Sequence, residues 1–184
     1  RANLTLTSEH LKEIPDSWFE LEILAGVNEV NSEVLISGFR RAKNIEDATT
    51  VYNAAPAKRV PNKLWELTDI LIVNETEAEF YCGRRPDWDQ PEPALQALSA
   101  KGAETIILTL GKSGAVVYTE GKLTKVPGQE VEAVDTTGAG DAFIGRYLSS
   151  LAAGKSQAEA VETANKYAAQ TVQAPGTQKS FPNL

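Results

Sequence analysis

Residues 69–73 read Asp-Ile-Leu-Ile-Val, the clearest buried strand in the sequence, and residues 105–110 read Thr-Ile-Ile-Leu-Thr-Leu, a second run of the same kind. Neither run alternates apolar with polar residues as a half-exposed strand does. Such runs are typical of parallel strands that are covered on both faces. Segments with helical periodicity separate the predicted strands. The sequence therefore predicts an α/β sandwich with a mostly parallel sheet.

The other elements are placed by periodicity and by turn residues. Strands are predicted at residues 4–7, 21–27, 50–52 and 131–134, and a hairpin at residues 115–126 that turns at Glu120 and Gly121. Helices are predicted at residues 32–43, 75–82, 94–101 and 141–153, and a last helix begins at the capping-box pattern Ser156 to Glu159. Ligands bind beyond the carboxyl ends of such strands, which points to the loops after Val73, Leu110 and Val134.

Composition narrows the class of function. The 184 residues carry a net charge of −7, which argues against a nucleic-acid partner or a membrane surface as partner. One cysteine, Cys82, and one histidine, His10, favour a reducing, cytoplasmic location and no structural zinc site. No apolar run approaches the ~18 residues that span a bilayer. The chain begins at Arg1 and contains no methionine, so we expect a processed, cut or truncated product.

The most informative motif is the turn Asp-Thr-Thr-Gly-Ala-Gly-Asp at residues 135–141, which precedes a predicted helix. Its small residues, Gly138, Ala139 and Gly140, let the backbone approach a ligand, and amides at a helix N-terminus bind anions. Asp141 then stands beside a predicted anion hole, where it could accept a proton during phosphoryl transfer. Two ordinary alternatives are a tight turn formed by the glycines and a helix cap formed by Asp141.

The whole heptad, followed by Ala142 and Phe143, resembles the signature of the ribokinase-like (phosphofructokinase B-type) carbohydrate and nucleoside kinases. Three further segments resemble motifs of that family in order and spacing: residues 74–79, 109–114 and 174–180. Residues 53–57, Asn-Ala-Ala-Pro-Ala, match a family loop with one change. The resemblance implies that residues 1–184 form the C-terminal, ATP-binding part of a single domain of a three-layer sandwich. It also implies that the N-terminal part and its β lid are absent.

The resemblance also implies roles for individual residues. The catalytic group comprises Asp141, as the base, with the anion hole of Gly138, Ala139 and Gly140. Contacts with ATP fall to Asn74, Thr109, Leu110, Gly111, Lys112, Ser113, Gly114, Gly140 and Asn165, the last beside the adenine unless it is simply solvated. Asp141 and Glu29 contact the sugar. Glu77 organises Mg²⁺ through water, and K⁺ is held by Asp135, Thr137, Thr171, Ala174, Gly176 and Ser180.

The sequence Gly-Lys-Ser at residues 111–113 also resembles the end of a Walker A loop. That loop needs a glycine five residues before Gly111, where Ile106 stands, and it needs a helix to follow. Residues 115–118 are predicted as a strand instead, so the motif is interpreted as a segment near the nucleotide rather than a P-loop.

The expected function is therefore transfer of the γ-phosphoryl group of ATP to the primary hydroxyl of ribose, with Mg²⁺ and K⁺ as cofactors. Within the family, the motifs point to ribokinases more than to fructokinases or adenosine kinases. The expected partners are ATP and ribose, with a homodimer for the full-length family member. Two alternatives stay open: a non-catalytic nucleotide-binding fragment, or a related kinase for another sugar or nucleoside.

Overall fold

The computed structural model describes residues 23–24, 32–45, 48–176 and 182. The described residues form two compact units. Unit 1 comprises the described residues up to 108 and residues 118–122. Unit 2 comprises residues 109–117 and the described residues from 123 onward. The predicted strand at residues 4–7 lies outside the described residues. The prediction of a single domain stays a prediction.

Unit 1 contains a parallel sheet and its connecting helices. The elements are β1 (Ile23–Leu24), α1 (Ser32–Ala42), β2 (Val51–Asn53), α2 (Asn62–Glu66), β3 (Ile70–Asn74), α3 (Glu75–Cys82), α4 (Glu92–Ser99) and β4 (Thr105–Thr109). The strands are ordered β1-β2-β3-β4, and both β1 with β2 and β2 with β3 pair in parallel. Val51 faces Ile70 and Asn53 faces Ile72, so β2 and β3 end at the same edge of the sheet.

The core of unit 1 explains why β3 and β4 carry unbroken apolar runs. Leu71 in β3 and Ile107 in β4 are completely buried. Val73 and Ile106, in the same two strands, are at most 1% exposed. Helix α4 adds Leu95 and Leu98, which are also fully buried. Both faces of these strands are therefore covered, as the absence of alternation predicts.

Unit 2 contains a helix pair and most of a hairpin, whose tip at residues 118–122 belongs to unit 1. After the short 3₁₀ turn Gly111–Ser113 come β5 (Gly114–Thr119), β6 (Lys122–Pro127), α5 (Ala139–Ala152) and α6 (Gln157–Thr171). The hairpin turns at Glu120 and Gly121, with φ of 51° and 74°. Two consecutive positive φ values match the twist of the flanking strands, which is why hairpins favour such turns.

Helices α5 and α6 pack against each other. Phe143 and Tyr147 of α5 stack with ring centroids 6.2 Å apart, and Ala164 of α6 is fully buried. The predicted capping box at the start of α6 is present, with Ser156 accepting from the Glu159 amide and Glu159 accepting from the Ser156 amide at 3.0 Å. The prediction of an α/β fold with a mostly parallel sheet is confirmed.

Candidate functional site

The end of β3 passes directly into α3 through a reciprocal cap. The Asn74 side-chain oxygen accepts hydrogen bonds from the amides of Thr76 (2.9 Å) and Glu77 (3.0 Å). In return, the Glu77 carboxylate accepts from the Asn74 amide at 2.7 Å and from its side-chain Nδ2 at 3.1 Å. Asn74 and Glu77 therefore hold each other in place at the carboxyl edge of the unit 1 sheet. The spacing Asn-x-x-Glu in the sequence is itself a capping-box signal.

Burial distinguishes Glu77 from an ordinary acidic residue at a helix start. Glu77 is 7% exposed, so its carboxylate is not a solvated surface group. Burial raises the pKa of Glu77; the bonds from Asn74 oppose the rise, and the charge of Glu75 adds to it. A carboxylate held in this way at a strand end is a suitable oxygen ligand for a hydrated divalent cation.

In unit 2, residues 111–114 form a tight backbone loop. Gly111 and Gly114 have φ of 54° and 108°, values that side-chain-bearing residues rarely adopt. The Leu110 amide donates to the Gly114 carbonyl at 2.8 Å, and the Ser113 amide donates to the Leu110 carbonyl at 3.1 Å. A strand follows, not a helix, so the rejection of a P-loop is confirmed. Lys112 is exposed.

The glycine-rich turn becomes the start of α5. The helix begins at Ala139, two residues before the predicted start, and Gly138 is its N-cap with φ of 82°. No side chain caps the helix, so the first-turn amides lack the partner that a capping side chain would give. Asp141 is the third residue of the helix rather than its cap, which makes the helix-cap alternative wrong.

Asp141 is exposed, and no hydrogen bond or ion pair joins its carboxylate to another residue in the described part of the chain. Gly140, immediately before it, has open space where a β-carbon would stand. The turn therefore combines amides, a bare backbone and a carboxylate on one helix end. These are the groups that an anionic, reacting ligand requires.

Residues 134–137 are tied to the segment after α6. The Asp135 carboxylate accepts from the Thr137 amide at 2.9 Å and from the Gly176 amide at 3.0 Å. The hydroxyl of Thr137 first, then the amides of Gly176 and Thr137, lower the pKa of Asp135 to about 2. Three members of the predicted K⁺ site, Asp135, Thr137 and Gly176, thus lie together. Asp135 stays anionic with lone pairs to spare, so the donor set fits a monovalent cation.

The strand predicted at residues 131–134 is not formed, because the backbone bonds of this segment run to a helix end instead. Val134 is 64% exposed, and its amide donates to the Val172 carbonyl at 2.8 Å; the Asp135 amide donates to the same carbonyl at 3.1 Å. Thr171 is fully buried, and its hydroxyl donates to the Tyr167 carbonyl at 3.0 Å. That hydroxyl is already engaged within α6.

Asn165 is neither solvated nor free to turn. It is 8% exposed on α6, and its Nδ2 donates to the carbonyls of Val126 (3.0 Å) and Pro127 (3.3 Å) at the end of β6. The alternative of a solvated asparagine is wrong. The sequence gives no local sign of these bonds, because the partners are 39 and 38 residues away.

The predicted site residues differ in whether the structure describes them and in the unit to which they belong. Glu29 and Ser180 lie outside the described residues. Asn74 and Glu77 belong to unit 1, and the other described site residues belong to unit 2. Within residues 23–24, 32–45, 48–176 and 182, no cluster of three or more histidine, cysteine or acidic residues could hold a metal ion. Over the same residues, every helix is too short or too polar to cross a bilayer.

Comparison with known proteins defines the class to which this fold and site belong. The model of the "pfkB family carbohydrate kinase" matches residues 2–184. The chain is 39% identical to a ribokinase of Staphylococcus aureus (strain COL) and 31% identical to a deoxyribokinase of Salmonella typhi, with all of this chain and 60% of each relative covered. The chain belongs to the pfkB family of carbohydrate kinases. It spans about 60% of the length of these relatives.

Solved structures agree with this assignment. A ribokinase of Arabidopsis thaliana complexed with ribose and ATP superposes with a TM-score of 0.79 at 26% identity, covering 85% of this chain and 51% of that one. An aminoimidazole riboside kinase of Salmonella enterica gives a TM-score of 0.69 at 26% identity, covering 81% and 54%. The ribokinase-like fold is thereby confirmed. The similar proteins differ in the sugar or nucleoside in their names.

Proposed function

We propose that this chain is the nucleotide-binding and catalytic part of an ATP-dependent sugar kinase, which transfers the γ-phosphoryl group to the primary hydroxyl of ribose. The observation that carries the proposal is the start of α5, where the N-cap residue has no side chain to bond the first-turn amides. Beside these amides lies the exposed carboxylate of Asp141, which has no hydrogen-bond or ion-pair partner among the described residues. The identity to a ribokinase over the whole chain supports ribose as the sugar. Deoxyribose and ribosides are the competing substrates, after the names of two similar proteins.

In the proposed reaction Asp141 is the general base. It takes the proton of the sugar hydroxyl as that oxygen bonds to the γ-phosphorus, while the bond from the γ-phosphorus to the β–γ bridging oxygen breaks and ADP leaves with the electron pair. The amides of Gly140 and Asp141 point along the positive end of the α5 dipole and meet the charge on the γ-phosphoryl oxygens. Gly140 leaves room for the phosphates because it has no side chain.

Residues 111–114 and Asn74 are proposed to hold the nucleotide, with Thr109 and Leu110 leading into the loop. Glu77 would bind Mg²⁺ through water, and the ion would neutralise charge on the β and γ phosphates. Asp135, with Thr137, Thr171, Ala174, Gly176 and Ser180, would bind K⁺ near the amides at the start of α5. Glu29 is proposed to contact the sugar. A homodimer and a cytoplasmic location are expected for the whole protein.

Two measurements test the proposal. Calorimetry of this chain with ADP and Mg²⁺ should show saturable binding, and the absence of heat and of any thermal shift at millimolar ADP would count against a nucleotide site. The protein extended to the length of its relatives should then release ADP when ribose is added to ATP. Comparison of kcat/KM for ribose, deoxyribose and aminoimidazole riboside decides the substrate.

The second candidate is a nucleotide-binding protein without catalysis. The two candidates differ in one outcome: only a kinase couples ADP release to the presence of the sugar. Nucleotide binding with no sugar-dependent ADP release, in the extended protein, would support the second candidate.

A further inference from the structure

Asn165 holds the end of β6 through the nitrogen of its side-chain amide. The Nδ2 atom donates to the carbonyls of Val126 at 3.0 Å and Pro127 at 3.3 Å, and the side chain is 8% exposed. A primary amide has two N–H donors, so two bonds to carbonyl oxygens match the donor capacity of Asn165. Removal of the amide would leave the carbonyls of buried Val126 and exposed Pro127 without these bonds.

Gly128 follows Val126 and Pro127 in the chain, and it contacts the loop at residues 111–114. Its amide donates to the Ser113 carbonyl at 3.0 Å. A β-carbon at position 128 would overlap the Lys112 carbonyl oxygen, and one at Gly114 would overlap the Val126 carbonyl oxygen and the Gly128 nitrogen. Backbone therefore lies directly on backbone, with no flexible side chain to absorb a displacement.

These contacts form a continuous series within unit 2, from α6 through β6 to the loop. We propose that Asn165 is a positioning residue that fixes residues 111–114 in place through Gly128, and that it does not select the nucleotide base. This inference rests on the proposed function, in which residues 111–114 bind the nucleotide. Asn165 then affects all nucleotides alike, because it shapes the loop and not the base pocket.

The hydrogen-bonding capacity of asparagine argues for this role over a base contact. In the two-point contact by which asparagine distinguishes adenine from other bases, the side chain donates to N7 and accepts from N6 at the same time. The donors of Asn165 are already directed at Val126 and Pro127. The side-chain oxygen that remains is a lone acceptor, which cannot provide the two-point contact.

The test uses two substitutions at opposite ends of the series, Asn165→Leu and Gly128→Ala. Leucine is close to asparagine in shape but donates no hydrogen bond, and alanine adds only a β-carbon. Calorimetry with ADP, GDP and pyrophosphate, each with Mg²⁺, should show weaker binding of all three by a similar factor of about 5- to 30-fold. The ADP-to-GDP affinity ratio should stay within about twofold of the parent's. Because both changes act on one series, the double variant should lose less than the product of the single losses.

Two matched controls make the same chemical changes away from the series. Gln170→Leu removes an exposed amide from α6, and Gly145→Ala adds a methyl group where the structure has open space. Both should bind the three ligands as the parent does. All binding is measured at least about 15 °C below each variant's melting temperature, so that loss of folded protein does not imitate loss of affinity.

Hydrogen exchange gives a readout that needs no ligand. The amides of residues 111–114 should exchange faster in Asn165→Leu than in the parent, whereas those of α5 should not change. An ADP-to-GDP ratio altered more than about tenfold with pyrophosphate binding unchanged would overturn the proposal in favour of a base contact. Unchanged exchange at residues 111–114 would overturn it as well. A parent that binds no nucleotide would contradict the proposed function, yet exchange would still decide whether Asn165 fixes the loop.

Discussion

The Asp135 carboxylate accepts a hydrogen bond from the backbone amide of Gly176, 41 residues further along the chain, at 3.0 Å. Its other oxygen accepts from the Thr137 amide at 2.9 Å, at the entrance to the glycine-rich turn. One side chain therefore joins the segment that enters α5 to the segment that leaves α6. Both carboxylate oxygens are needed for these two bonds. Substitution of Asp135 by asparagine would remove one of them, because an asparagine side chain has one acceptor oxygen and not two.

The first prediction concerns the pH dependence of this link. The pKa of Asp135 is lowered from 3.8 to about 2, so its stabilising effect is fully present above about pH 4 and is lost as the pH falls through about 2. Asp135→Asn should be less stable than the parent in urea unfolding at pH 7, by an amount that is constant down to about pH 4 and shrinks below it. Asp87→Asn is the control, since Asp87 accepts from the nearby Gln90 amide and, within the described part of the chain, from no distant residue. A stability gap that widens as the pH falls towards 2 would contradict the prediction.

The second prediction compares the two capping boxes. Burial raises the pKa of Glu77, whereas the hydrogen bonds from Ser156 lower the pKa of the exposed Glu159. A raised pKa contributes stability that is present at low pH and lost as the pH rises; a lowered pKa contributes stability that is lost as the pH falls. As the pH falls from about 7 to 4.5, the parent should therefore gain stability relative to Glu77→Gln. Relative to Glu159→Gln, the parent should lose stability as the pH falls below about 4.5. Glutamine keeps an acceptor for the cap in both cases.

Urea unfolding measures the stability difference between the parent and Glu77→Gln, and between the parent and Glu159→Gln. A chelator is present so that no divalent ion binds Glu77. The two variants serve as controls for each other because the residue type, the substitution and the helix position are the same. If the two stability differences changed with pH in the same direction, burial of Glu77 would not determine its titration.

Local sequence signals predicted those parts of the molecule that depend on neighbours in the chain. The bounds of α3 and the capping box at Ser156 follow from residues within one helical turn, and both are found as predicted. The start of α5 was predicted two residues late, because Gly138 begins the helix through its positive φ and not through a capping side chain. The strand predicted before it fails because Val134 bonds to Val172, a partner 38 residues away that no local pattern shows.

The site follows the same rule. The family motif around Asp141 is contiguous, so resemblance could assign it. The role of Gly128 was missed because it depends on the approach of Lys112 and Gly114, which are distant in sequence. The local signal here was Pro127 followed by Gly128, after the predicted hairpin. Such a pair indicates a turn, but it does not identify the residues that pack against the turn.

The third prediction uses two glycines of α5, Gly140 and Gly145, which both have open space where a β-carbon would stand and no positive φ. Gly145→Ala should raise the free energy of unfolding by about 0.5–1 kcal/mol, because alanine is the better helix former in an exposed helix interior. Gly140→Ala should leave the fold intact, and it should weaken ADP binding because its methyl group occupies the space where phosphates approach the amides. Thermal unfolding and calorimetry on both variants separate the two effects. Equal ADP affinity in Gly140→Ala and Gly145→Ala would remove Gly140 from the proposed site.

The last prediction concerns Asp141 as the base. Asp141→Asn keeps the size of the side chain and removes the carboxylate that takes the proton. In the protein extended to the length of its relatives, kcat with ribose should fall by about 10²–10⁴-fold, the usual range for loss of a general base, while the KM for ATP changes little. The control is Glu92→Gln, which removes the first-turn carboxylate of α4 and should leave kcat unchanged. Stability should change by no more than about 1 kcal/mol in Asp141→Asn, since its carboxylate has only the helix dipole to interact with among the described residues. Turnover of ribose by Asp141→Asn within a few-fold of the parent would mean that Asp141 is an exposed helix residue and that another group takes the proton.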